Sequence, residues 1–234
     1  MAIIISNITK KEQYAMVFNF SNSNLANMIN IFRCKNKGDG KRGPFYNGSQ
    51  PWNFDLEDEG LFRSAVWQGY LDASRTFVKI KHTQDCRYAF NNLASSIQKY
   101  FKDEENFDHS KWCIAFINDI REYNEYEARY GQAQKVVNMA FKYLYCCEGA
   151  DKYRDKFEYC HMPLDQFTLA WLFSEGGKFY AGWSYLKEDV YNETQSKIKE
   201  ILGDNIIGKE FVMWEEMQKQ YVDLEKNYHG QKKI

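Results

Sequence analysis

Two residues in the middle of the chain have the types and placement that an amine nucleophile assisted by a carboxylate requires. Lys135 lies in the run Y-G-Q-A-Q-K-V-V-N-M-A-F-K that begins at Tyr130, and Asp165 lies in H-M-P-L-D-Q-F-T-L that begins at His161. A lysine amine can form a Schiff base, and a nearby carboxylate can stabilise developing positive charge and assist proton transfer. Gly131 supplies a turn before a helix expected to start near Gln132, which puts Lys135 in or near its first turn. There the positive end of the helix dipole favours the neutral amine. Pro163 suits the start of the next helix and Asp165 its first turn, so an ordinary capping role for Asp165 stands beside the chemical one. His161 reads more easily as a structural histidine than as a catalyst, and no partner histidines mark a metal site.

The elements that must position this pair read as helices. After Gly131, Val137, Ala140, Phe141 and Leu144 form an apolar stripe, while Lys135, Asn138 and Lys142 share the other face, which is expected to be exposed. Apolar residues recur at three and four over residues 22–34, 56–80, about 85–102 and about 109–126, and again over 184–202 and 206–227. The acidic run Asp55, Glu57, Asp58, Glu59 reads as capping at the start of its helix. Residues 35–54, rich in glycine and carrying Pro44 and Pro51, are expected to form a long basic loop, in which Lys41 and Arg42 could contact phosphate and Tyr46 or Trp52 could stack on a base. Residues 3–5 form either a short strand or an apolar arm. The expectation is an all-α, compact multi-helix fold within a single domain over residues 1–234, as one body or as two helical lobes flanking a cleft, with at most a small β element at the N-terminus.

Composition narrows the partners. A chain that is 44% hydrophobic and 27% charged is globular rather than disordered. A net charge of -1 argues against indiscriminate nucleic-acid binding by the whole surface but leaves room for a local basic face. The six cysteines include no C-x-x-C pair, which excludes zinc-ribbon and iron–sulfur spacings and points to free thiols in a reducing cytosol. The apolar run at the N-terminus is shorter than the core of a signal peptide, and no segment has the apolar length of a membrane span. A cytoplasmic protein without metal, cofactor or membrane partner is expected.

Over about residues 128–172 the chain resembles the helix-hairpin-helix DNA glycosylase superfamily. The signature of that superfamily is a Gly-x-Gly hairpin, a lysine two residues later, an apolar helix, and a Pro-Val-Asp type of turn that carries the catalytic aspartate. Gly131 matches the first glycine, Ala133 stands at the second, Lys135 falls on the lysine, Asn138 on an asparagine seen in several members, and Pro163, Leu164 and Asp165 on the aspartate turn. Arg129 and Tyr130 replace the usual Leu-Pro. The resemblance implies a base-excision glycosylase, with or without Schiff-base lyase activity, acting on a damaged or modified base in DNA. Gly131, Gln132 and Ala133 would then hold a phosphate, with Asn138 in the same DNA-binding motif. Trp112, Phe167 or Trp171 would stack on the flipped base, Lys135 would attack the sugar C1′, and Asp165 would stabilise the charge formed there.

Two other classes compete with this one. One is a non-enzymatic helical module, an inhibitor or accessory factor that binds another protein through an aromatic-rich surface. The other is a non-catalytic DNA binder that keeps the hairpin without the chemistry. The surroundings of Lys135 and Asp165 discriminate between them, since catalysis needs the pair to face a cleft that solvent can reach.

Overall fold

A computed structural model describes residues 9–35, 46–47, 50–77, 80, 86–124, 126–178, 180 and 182–231. Over these the chain is all-α, as its periodicity implies: α1 (Lys10–Val17), α2 (Asn22–Lys35), α3 (Glu59–Ala73), α4 (Arg87–Phe101), α5 (His109–Asn124), α6 (Tyr130–Tyr145), α7 (Arg154–Phe157), α8 (Gln166–Ser174), α9 (Glu188–Leu202) and α10 (Ile206–Gln231). A two-residue antiparallel pair, β1 (Tyr46–Asn47) with β2 (Gln50–Pro51), falls in the stretch expected as loop. Residues 3–5, and with them the expected N-terminal β element, lie outside the described residues, as do Lys41 and Arg42.

Local chemistry sets the helix boundaries. α1 has no counterpart among the expected helices, yet its start carries a capping box: the Glu12 amide donates to the Thr9 hydroxyl at 3.3 Å, and the Thr9 amide donates to the Glu12 carboxylate at 2.8 Å. The helix expected over residues 56–80 is shorter. Asp58 caps it by accepting from the Gly60 and Leu61 amides, and it tightens into a 3-10 turn at Ser74–Thr76, where both hydroxyls donate back to carbonyls of the preceding turn. α9 begins at Glu188 rather than 184 because Trp183–Tyr185 forms a separate 3-10 turn.

α6 runs through the interior, and all sixteen of its residues are buried. A helix buried on every face must find apolar neighbours all round and a partner for each polar group. Phe141 contributes to an aromatic core in which Phe101 meets Phe54 at 5.0 Å, Phe157 at 5.1 Å and Phe141 itself at 5.9 Å between ring centroids. On another side α3 lies hard against α6 because Gly69 has no side chain: a Cβ there would sit 2.5 Å from the Val136 carbonyl oxygen. Neither backbone can yield at that point. Gly69→Ala is therefore expected to lower stability by about 1–3 kcal/mol, against alanine's better helix propensity, and urea denaturation of the variant checks this. An unchanged or raised midpoint would contradict the close approach.

Candidate functional site

Gln134, Lys135 and Lys142 of α6 reach across to the C-terminal half of the chain. The Gln134 amide group donates to the Leu164 carbonyl at 2.9 Å and its carbonyl accepts from the Leu164 amide at 3.2 Å, which fixes the strap that leads into α8. Lys135 Nζ donates to Asp165 Oδ2 at 2.7 Å. Lys142 Nζ lies 2.7 Å from Glu210 Oε1 on α10, inside a cage of the Phe32, Phe211 and Trp214 rings at 4.6–5.0 Å from their centroids.

Lys135 and Asp165 thus meet, but inside the protein. Their side chains are only 8% and 11% exposed. Asp165 is the N-cap of α8: Oδ1 accepts from the Phe167 amide at 2.9 Å and the Thr168 amide at 3.1 Å, while its own amide donates to Thr168 Oγ1 at 2.8 Å. One oxygen is given to the helix and the other to the lysine. Burial pushes the Asp165 carboxyl up, but the adjacent Lys135 ammonium, the Thr168 amide and Lys142 outweigh burial and hold it below the usual carboxylate range. The expectation of an exposed lysine is corrected for a physical reason. The stripe formed by Lys135, Asn138 and Lys142 is polar because distant segments bring partners to it, not because water does.

The expected phosphate grip is corrected as well. Gly131 lies within the first turn of α6 rather than in a hairpin, and its amide donates to the Leu186 carbonyl at 3.0 Å. A Cβ on Gly131 would stand 2.2 Å from the Trp183 carbonyl oxygen, so this glycine serves a close approach between segments. The Gln132 and Ala133 amides both donate to the Arg129 carbonyl. The Gln132 side chain accepts from the Arg129 amide at 2.9 Å and donates to the Thr76 carbonyl at 2.6 Å. Gln132, Ala133 and Asn138 are buried, so none of them offers a group to a DNA backbone in this conformation. The stacking candidates do not converge. Trp112 sits in the aromatic core against Phe107 and Phe141, buried Trp171 donates its Nε1–H to the Tyr14 hydroxyl, and Phe167 packs on Trp214 and Tyr221.

Sequence reasoning missed a buried network around His109. Asn138 Oδ1 can only accept, so His109 Nε2, 3.0 Å away, carries the imidazole proton. Asn138 Nδ2 donates to the Tyr191 hydroxyl at 2.9 Å, and that hydroxyl is hydrogen-bonded to His161 Nδ1 at 2.9 Å. The Cys113 sulfur completes a cysteine–histidine–asparagine set, the composition of a thiol nucleophile with its base and orienting amide. Its geometry is inert. The sulfur is 3.7 Å from Nδ1 and 3.8 Å from Nε2 and so aims at neither nitrogen, and burial pushes its thiol well above the usual range. The signal was His109 and Cys113 at i and i+4 on one helix, which by itself is common.

Burial pushes the His161 imidazole down to about 4, with the Lys199 charge adding to the effect. It also pushes His109 well below its ordinary value, with His161 adding and Asn138 opposing. A depressed folded-state pKa means that the unfolded chain binds more protons, so this stability is full above the unfolded value of 6.5 and is lost as pH falls through 4. His161 alone is expected to remove about 3 kcal/mol across that window. Urea midpoints measured from neutral to acid pH test this, and a flat profile would contradict a neutral, enclosed pair of imidazoles.

Cys86, Cys113, Cys146, Cys147 and Cys160 are buried and are not joined in disulfides. Among the described residues no group of three His, Cys, Asp or Glu is placed to hold a metal ion, and no helix is long and apolar enough to cross a membrane. Comparisons with protein-family models, curated proteins and solved structures find no match to this chain.

Proposed function

We propose that the chain is a non-enzymatic helical module that acts by binding another protein, with Lys135 and Asp165 serving its fold. The observation that carries this reading is the division of the Asp165 carboxylate between the N-terminus of α8 and Lys135, which leaves neither partner available to a substrate. Large apolar and aromatic side chains are exposed on α3, α4 and α5. Trp67 and Leu71, one turn apart, and Tyr88 and Tyr123, whose rings meet at 5.0 Å, are 37–49% exposed. Large aromatic side chains carry a disproportionate share of affinity at protein interfaces.

The full chain used as bait in an extract of its own cells tests the reading. The expected result is a protein enriched by the parent and by Tyr159→Ala, a control at an exposed site elsewhere, and lost with Trp67→Ala, Tyr88→Ala and Tyr123→Ala combined. Equal recovery by all baits would contradict it.

A second reading, the DNA glycosylase or lyase, is favoured by one observation: the lysine and aspartate that its chemistry requires are in direct contact. It requires the pair to separate and the first turn of α6 to uncover before DNA could be engaged.

A further inference from the structure

A surface cleft of about 270 Å³ lies between α2 and the turn that joins α6 to α7. Arg33, Glu148, Asp151 and Arg154 all line it, yet among the described residues no ion pair joins either arginine to either carboxylate. Neutral groups anchor the guanidiniums instead. Arg33 Nε donates to the Cys146 carbonyl and its Nη1 to Asn30 Oδ1 at 3.3 Å, while Arg154 Nη1 donates to Asn22 Oδ1 at 3.1 Å. Each arginine thus uses one edge of its donor fork to hold α2 in place and keeps an Nη2 without a partner among the described residues. The carboxylate wall is fixed through its backbone. The Glu148 amide donates to the Trp52 carbonyl at 2.9 Å, its carbonyl accepts from the Phe54 amide at 2.7 Å, and Gly149, at φ 79°, turns the chain toward Asp151. Leu25, Ile29 and Ala150 add an apolar side to the cleft.

Opposite charges that share a cleft but are held apart select a ligand that carries both signs. An anion gains from the guanidiniums and is repelled by the carboxylates, a cation meets the reverse, and a neutral molecule compensates none of the four. A zwitterion can place its carboxylate on the free guanidinium edges, whose fork geometry suits it, and its ammonium on Glu148 and Asp151. The small volume restricts the ligand to a few heavy atoms beyond those two groups, and the apolar side suits a hydrocarbon substituent. We infer that this cleft binds a free α-amino acid with an apolar side chain. It shares no residue with the Lys135–Asp165 pair or with the exposed aromatic residues of α3, α4 and α5, so it stands or falls independently of the function proposed above.

The test titrates the full chain with L-leucine, with N-acetyl-leucine, which keeps only the carboxylate, with leucinamide, which keeps only the ammonium, and with glycine, following the backbone amide resonance of Gly149. Saturable binding of leucine is expected, with N-acetyl-leucine, leucinamide and glycine each weaker by about tenfold or more. Arg154→Gln, and Glu148→Gln combined with Asp151→Asn, are each expected to weaken leucine binding by about tenfold. These positions are exposed, so the variants keep the fold, whereas Arg33 also caps the end of α6 and is left unchanged. No saturation by leucine, binding of N-acetyl-leucine, leucinamide or glycine as tight as that of leucine, or undiminished affinity in either variant would overturn the proposal.

Discussion

Lys142→Met is expected to lower stability by about 3–5 kcal/mol. The substitution leaves Glu210, whose side chain is 1% exposed, as an uncompensated carboxylate in the core, and it removes the cation from the cage of Phe32, Phe211 and Trp214. Removing both charges should be far milder. A well-packed apolar replacement of a buried ion pair is often neutral, so Lys142→Met combined with Glu210→Leu is expected to recover most of the loss. Urea denaturation of the two single variants and the double variant measures this. A single-variant loss below about 1 kcal/mol, the level of a surface pair, would contradict burial of the pair.

The second large effect is at Lys135 and Asp165. Lys135→Met leaves a buried carboxylate without its cation, and a loss of about 3–5 kcal/mol is again expected. Asp165→Ala removes the pair and also the cap of α8, which alone is worth about 0.5–2 kcal/mol. Asp165→Asn separates the two contributions: asparagine is nearly as good an N-cap, so most of its cost is the cost of the pair. A catalytic pair would behave in the opposite way, with chemistry lost at both positions and stability kept. Thermal and urea midpoints of Lys135→Met, Asp165→Asn and Asp165→Ala read the difference directly, and unchanged midpoints in the first two would contradict a fold-holding role.

Much of the helical frame was legible in the sequence because three-to-four periodicity survives wherever one face is buried. α4 at Arg87–Phe101 and α5 at His109–Asn124 fall within a residue or two of expectation. α1 escaped because eight residues give too few turns for periodicity to show, although the Thr9 and Glu12 capping box was there to be read. That Lys135 and Asp165 could meet was legible from residue type and their positions at two helix starts. Their surroundings were not. Periodicity cannot tell a polar stripe that faces water from one that faces partner charges, and Glu210, the partner of Lys142, reads in sequence as one more polar residue of a terminal helix. The same limit applies to Gly131: glycine can serve a turn, a left-handed residue or a close approach, and only the Trp183 carbonyl beside it shows which.

The central claim is that Lys135 and Asp165 hold the fold and do not perform amine chemistry on DNA. Borohydride trapping of the full chain on DNA that carries an abasic site, with a panel of altered bases alongside, tests it most directly. No covalent protein–DNA adduct is expected from the parent chain. An adduct formed by the parent and abolished in a folded Lys135→Gln variant would contradict the account and establish the lysine as a nucleophile.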